Sequence, residues 1–217
     1  MSQKVVRILE EQFSDAIVET HSQFGDDTVV VDPARWKEIA RFLRDDSRLS
    51  MDHFIDLTAV DYLGRRTPRF EVVLHLRSQD KAHRIRVKAR IDAEAGDPGN
   101  GDPGNGPPRI DSLVEVWAGA DWFERECYDM FGVDFVGHPD QRRILMYEEF
   151  EGYPLRKDYD ASRTQPLVQY RDGLDKLPPF GKDEGLPFGR QTHDHLRVRR
   201  TLLEPQSAEE PSPKDGA

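Results

Sequence analysis

Three features of this 217-residue sequence predict an α+β chain that ends in a long extended arm. Apolar residues first recur at helical spacing, strict alternation replaces it between about 53 and 91, and periodicity of either kind fades after about 132. The helices and strands share one stretch short enough to form one core, so a domain over 1–132 is expected, with an arm over 133–165 and an irregular, partly disordered tail over 166–217.

Taken in order, Val5, Leu9, Phe13, Ala16 and Ile17 lie on one helical face and predict a helix over 3–19. The β-branched run from Thr28 to Val31 predicts a short strand. Asp32 and Pro33 open a second helix, a capping carboxylate followed by the residue whose missing N–H is no loss at that position. Trp36, Ile39, Ala40 and Leu43 form its buried stripe. Three alternating segments follow. His53, Ile55, Leu57 and Ala59 alternate with Phe54, Asp56, Thr58 and Val60, and Phe70, Val72, Leu74 and Leu76 with Glu71, Val73, His75 and Arg77. The third sets Ile85, Val87, Ala89 and Ile91 against Arg84, Arg86, Lys88 and Arg90, with residues 78–83 closing a hairpin.

Positions 96–108 read GDPGNGDPGNGPP, a flexible loop in which GDPGN occurs twice. Its Gly99, Gly101 and Gly104 match the dinucleotide-binding fingerprint only formally, because Pro103, Pro107 and Pro108 deny the helix N-terminus that would hold pyrophosphate. Residues 110–117 fit a strand or a short helix. A helix over 121–131 is expected, with Asp121 and Glu124 as a capping box and Gly132 as a left-handed stop. Beyond it, seven of the 15 prolines follow residue 160, yet Phe135, Tyr147, Phe150, Tyr153, Tyr159, Tyr170, Phe180 and Phe188 remain. Disordered tails are usually poor in rings, so the arm is expected to lie on another protein.

Chemistry is sparse. With 31 Lys and Arg against 41 Asp and Glu the formal charge is −10, which disfavours nucleic acid and anionic membranes as partners. The single cysteine, Cys127, excludes an internal disulfide and a self-contained iron–sulfur cluster and suits a reducing compartment. Glu124, Glu126 and Asp129 surround it with negative charge, which argues for packing and against nucleophilic use. Those acids read as a solvated helix face, with Arg125 and Asp129 as an i,i+4 pair. His193 and His195 lack further ligands nearby for a metal. The row Arg84, Arg86, Lys88 and Arg90 reads either as protective charge on an exposed sheet face or as a docking patch. The charged N-terminal residues are unlike a signal peptide and no stretch approaches the roughly 18 apolar residues of a spanning helix, so membrane association is expected only through other proteins.

Between 124 and 159 stands an ordered series: Glu124-Arg125-Glu126-Cys127-Tyr128-Asp129-Met130-Phe131-Gly132-Val133, His138-Pro139, Arg142-Arg143-Ile144-Leu145, and Tyr153-Pro154-Leu155-Arg156-Lys157-Asp158-Tyr159. It resembles the signature of the 30-kilodalton subunit family of proton-pumping NADH:quinone oxidoreductase, respiratory complex I. The resemblance implies a two-layer α+β domain with helices on a mixed β-sheet, and an arm that wraps the neighbouring 49-kilodalton subunit. It implies a chain separate from that neighbour, although the two are fused in some bacteria. It further implies that this chain binds no cofactor, with FMN and iron–sulfur clusters held by partner subunits, and that it is not catalytic in isolation. Its place would be the cytoplasmic face of the bacterial inner membrane, and its contribution the assembly and stability of the module that carries electrons from NADH to quinone. An equivalent subunit of a related membrane-bound hydrogenase or non-NADH quinone oxidoreductase is the alternative. Carried onto this chain, the expected interface comprises Glu124, Arg125, Glu126, Asp129, His138, Arg142, Arg143, Tyr153, Pro154, Leu155, Arg156, Lys157, Asp158 and Tyr159, while Trp122, Phe123, Cys127, Met130 and Phe131 face inward.

Overall fold

The computed structural model describes residues 3–92 and 106–168. Most of the GDPGN loop, the formal glycine fingerprint, the rings at 170, 180 and 188 and the histidines at 193 and 195 lie outside the described residues.

Helix α1 spans Gln3–Gln12, β1 Ile17–Gln23, β2 Asp26–Val31, and α2 Trp36–Asp45 after a 3₁₀ turn at Pro33–Arg35. Strands β3 His53–Asp61, β4 Phe70–Ser78 and β5 His83–Ile91 follow, then β6 Arg109–Asp111, α3 Ala120–Phe131 and β7 Asp134–Val136. The main sheet has the order β1-β2-β5-β4-β3, antiparallel except where β2 runs parallel to β5, and β6 and β7 form a small parallel pair. This is the α+β layout with a mixed sheet.

Register explains why one face is core. Val29, Val87, Leu74 and Leu57 stand in one row across β2, β5, β4 and β3, and Val31, Ala89, Val72 and Ala59 in the next. These rows pack against Val5 and Leu9 of α1, the α2 stripe of Trp36, Ile39, Ala40 and Leu43, and Cys127 of α3. Each buried aliphatic side chain of this kind contributes about 1.5–3 kcal/mol. The opposite face carries the cationic row, and its charges are answered at close range. Arg84 and Arg86 pair with Asp26, Lys88 with a buried Glu71, and Arg90 with both Glu19 and Glu71.

Three expectations need correction. The first helix stops at Gln12, not 19, and Ile17–Gln23 is a strand. Phe13 and Ala16 stay in the core through a turn closed by Ala16 N–H on the Phe13 carbonyl, so the apolar spacing outlasts the helix. The branched run Ile17, Val18 and Thr20 favours extended chain. In β3, a bulge between Phe54 and Asp56 breaks the alternation, leaving Ile55 exposed and turning Phe54 toward Trp117 and Phe123. The ambiguous 110–117 stretch holds the end of a three-residue strand followed by turns. The second helix does start at its expected cap, the Asp32 carboxylate accepting from Ala34 N–H, although the first turn is 3₁₀.

Candidate functional site

The family-like series runs through α3, β7 and the arm, and buried polar groups on α3 and β3 hold that arm in place. Asp129 is fully buried. Its Oδ2 accepts the backbone N–H groups of Ile144, Leu145 and Met146 at 3.1, 2.7 and 2.8 Å, and its Oδ1 accepts Arg143 Nη1 at 2.7 Å. Arg143 also donates to the Gly152 carbonyl at 3.0 Å and lies over the rings of Phe150 and Tyr153. A carboxylate in this setting ties three consecutive amides and one cation to a single helical position.

A second knot lies at the end of β3. Asp61 accepts both arms of Arg69, at 2.8 and 2.7 Å, together with Leu63 N–H and Lys157 N–H. Burial opposes ionisation of Asp61, yet the bonds from Arg69, Lys157 and Leu63 outweigh it and hold the carboxyl below its ordinary range. Arg69 reaches on to Asp158 at 3.0 Å, so one guanidinium joins the sheet to the arm.

Between these knots Arg156, buried, donates to the Phe131 and Gly132 carbonyls and lies over Phe70 and Tyr153. It thereby satisfies carbonyls at the C-terminus of α3, where a cation is also favoured by the helix dipole. Gly132 has φ 71°, and a Cβ there would lie 2.5 Å from Tyr153 and 2.6 Å from Arg156. Both the backbone and the close approach of the arm demand glycine.

Glu124 does not cap its helix. The N-cap position is Gly119, without a side-chain bond, and the Glu124 carboxyl is buried, accepting Ser112 Oγ–H at 2.7 Å and Leu113 N–H at 2.6 Å. Burial, with Asp121 adding repulsion, outweighs those two bonds and pushes Glu124 up to about 7. His138, its side chain enclosed, sets Nε2 3.1 Å from an Asp121 carboxylate oxygen and 4.0 Å from Glu124. Asp140 N–H donates to His138 Nδ1 at 3.0 Å, which assigns the ring proton to Nε2.

Several expected site residues thus point inward. The solvated helix face is not found: Glu124, Arg125 and Asp129 are buried, because α3 is covered by the 112–114 turn on one side and the arm on another. Asp129 pairs with Arg143 and not with Arg125, whose Nε–H goes to the Arg142 carbonyl at 3.2 Å. Trp122, expected inside, is 62% exposed under the Arg125 guanidinium. Cys127 is packed against β3, its thiol donating to the Leu57 carbonyl, and burial raises its pKa well above the usual thiol value. Tyr153 meets Tyr128 edge-on, Tyr159 stacks on Phe150, and Leu155 N–H donates to the Met130 carbonyl. Pro154 is half-buried, while Glu126, Arg142 and the Lys157 and Leu155 side chains are exposed. The expectation that the arm finds no surface on its own chain therefore fails for residues 133–168. Asp61 and Arg69 escape a reading of the sequence; an acid closing an alternating strand is the available signal.

Among the described residues no group of three or more His, Cys, Asp or Glu gathers as a metal site, and no helix is long and apolar enough to cross a membrane. The assembly is that of an α+β domain with a strapped-down arm and no concentration of reactive groups. The family described as respiratory-chain NADH dehydrogenase, 30 Kd subunit, matches residues 29–165, and the chain belongs to that family. It is 41% identical to a C-type NADH-quinone oxidoreductase subunit of Rhizobium etli over 177 residues, 82% of each chain. Against the C-type NADH-quinone oxidoreductase subunit of Roseiflexus castenholzii it is 40% identical over 180 residues, 82% of this chain and 96% of that one. A chain of the membrane-bound sulfane sulfur reductase, an archaeal respiratory membrane complex, shares the fold with TM-score 0.58 at 21% identity, covering 81% of this chain and 98% of that one.

Two substitutions probe the site. Asp129→Ala strands the buried end of Arg143 and three amides, and is expected to cost about 3–5 kcal/mol of stability in urea unfolding. Glu124→Gln tests the raised carboxyl. Between the ordinary value of 4.5 and about 7 the folded chain keeps a proton that the unfolded chain releases, so this group's contribution declines as pH rises and levels off above 7. The glutamine variant is therefore expected to gain on the natural chain between pH 5 and 8, by on the order of 3 kcal/mol at most. Asp61 and Glu71, held low by their cations, lose their contribution only at more acid pH, so they do not mask the effect.

Proposed function

We propose that this chain is the 30-kilodalton subunit of an NADH–quinone oxidoreductase and acts there as a cofactor-free scaffold. The observation that carries the reading is family membership over 29–165 joined to an arm whose polar signature is engaged within the chain. That arm is left with an apolar exterior: Leu145, Tyr147, Leu155, Leu167 and Val168 are exposed along it. Exposed apolar side chains on an ordered strap are the kind of surface a companion protein covers. The proposed companion is the 49-kilodalton subunit, with FMN and iron–sulfur clusters in other subunits and attachment to the cytoplasmic face of the inner membrane through the complex alone. In this role the chain supplies contact area and rigidity to the module that passes electrons from NADH to quinone.

Affinity purification of the tagged chain from its native host, with identification of companions, tests the assignment. The 49-kilodalton subunit and the membrane-embedded subunits are expected in the eluate, and their absence would refute it. Arg143→Ala, which releases the strap from Asp129, is expected to reduce recovery of intact complex more than Arg84→Ala, whose ion pair is on the far sheet face. Equal yields would count against this. The isolated chain is expected to be colourless and without NADH oxidation, checked by its visible spectrum and a standard oxidation assay.

A further inference from the structure

The two outer strands of the main sheet are treated differently. Strand β3 is covered: α3 packs along it, and Cys127 donates to the Leu57 carbonyl. Strand β1 pairs only with β2. The turn between them consists of Phe24 and Gly25, with φ 55° and 81°, the positive pair used by a two-residue type I′ hairpin. In such a hairpin the flanking residues, here Gln23 and Asp26, exchange hydrogen bonds, and the bonded pairs then alternate: His21 with Thr28, Glu19 with Val30. The N–H and C=O groups of Thr20 and Ser22 consequently point away from the sheet. Among the described residues no backbone bond outside the hairpin reaches 18–23.

This edge also lacks the usual protection. Lysine and proline are absent from β1, and its one charge, Glu19, is drawn onto the sheet by Arg90 at 2.5 Å. A bulge at Val18 interrupts only the beginning of the strand. Phe24 at the hairpin tip is fully exposed and stands where an added strand would meet it. Resting on the scaffold role proposed above, we infer that the outer edge of β1 accepts an extended segment of a companion subunit as a sixth strand. Main-chain bonds to Thr20 and Ser22 supply the attachment and Phe24 an apolar grip. Charge selects the occupant. Glu10, bonded to Thr20 Oγ, and Glu19 border the edge of a chain whose net charge is −10, so a second copy brings like charges together whereas a segment flanked by Lys or Arg does not.

Hydrogen–deuterium exchange with single-amide resolution, on the free chain and on the purified complex containing it, tests this. The Thr20 and Ser22 amides are expected to exchange about a hundredfold more slowly in the complex, while His21, bonded inside the ladder, is protected in both. Equal exchange rates in an assembled chain overturn the inference alone; failure of the natural chain to enter the complex overturns the functional reading and this inference with it. Protection that rises with concentration in the free chain overturns it in favour of self-pairing. Thr20→Pro removes an N–H that no ladder bond uses, so its circular dichroism is expected to match the natural chain while its retention in the complex falls about tenfold. Undiminished retention overturns the inference.

Discussion

One buried carboxylate governs the geometry of the family-like region. Asp129 gathers three consecutive amides and a guanidinium, and the chain from 143 to 146 can follow only one path while those bonds are made. An ionised group at a fully buried position is tolerable only when its lone pairs are filled, and here donors from the arm fill them. The dependence is mutual. Without the arm, Asp129 is an uncompensated charge beside the core; without Asp129, residues 143–146 have no periodic structure to absorb their N–H groups.

The neighbouring contacts extend the same logic along the arm. Gly132 ends α3 in a left-handed conformation and leaves room for Tyr153 and Arg156 where any side chain would collide. Arg156 uses that room to reach the helix-terminal carbonyls, and Asp61 then holds the next residue by its amide. Each step delivers the chain to the following one, so a segment with neither helix nor strand acquires a defined course from bonds between side chains and backbone. Aromatic rings line the same path: Phe150 stacks on Tyr159, and Arg143 bridges Phe150 and Tyr153.

Much of the domain is legible in the sequence, and the failures share a cause. Alternation in 70–77 and 84–91 survives because both strands are central, each with one face in the core and one lined with charge. The Asp32-Pro33 start and the Gly132 stop are local devices, so they are visible locally. Strand β1 is hidden because Phe13 and Ala16 continue a helical rhythm that a turn, not a helix, satisfies, and because an edge strand has little burial to impose alternation. The acids of α3 mislead for a related reason. Charge normally marks solvent, and nothing in the order Glu124-Arg125-Glu126 tells that the first two are enclosed by segments far along the chain while the third is not. The family-like series marks the right region but not the direction in which its side chains point.

That direction bears on how a signature of charged residues serves an interface. Charges placed directly between subunits must be desolvated on assembly, and the gain is small unless every partner is in place. Here most of the signature charges are desolvated already, inside the folded chain, against donors and acceptors of that same chain. The exterior they leave along the arm is apolar or aromatic at Leu145, Tyr147 and Leu155, which associates without a comparable penalty and without rearrangement of long side chains. On the scaffold reading, then, the polar residues of the signature act as preorganisation and the intervening apolar ones as contact. A substitution such as Leu155→Asp would weaken association while leaving the fold intact, whereas loss of Asp129 would remove the surface itself.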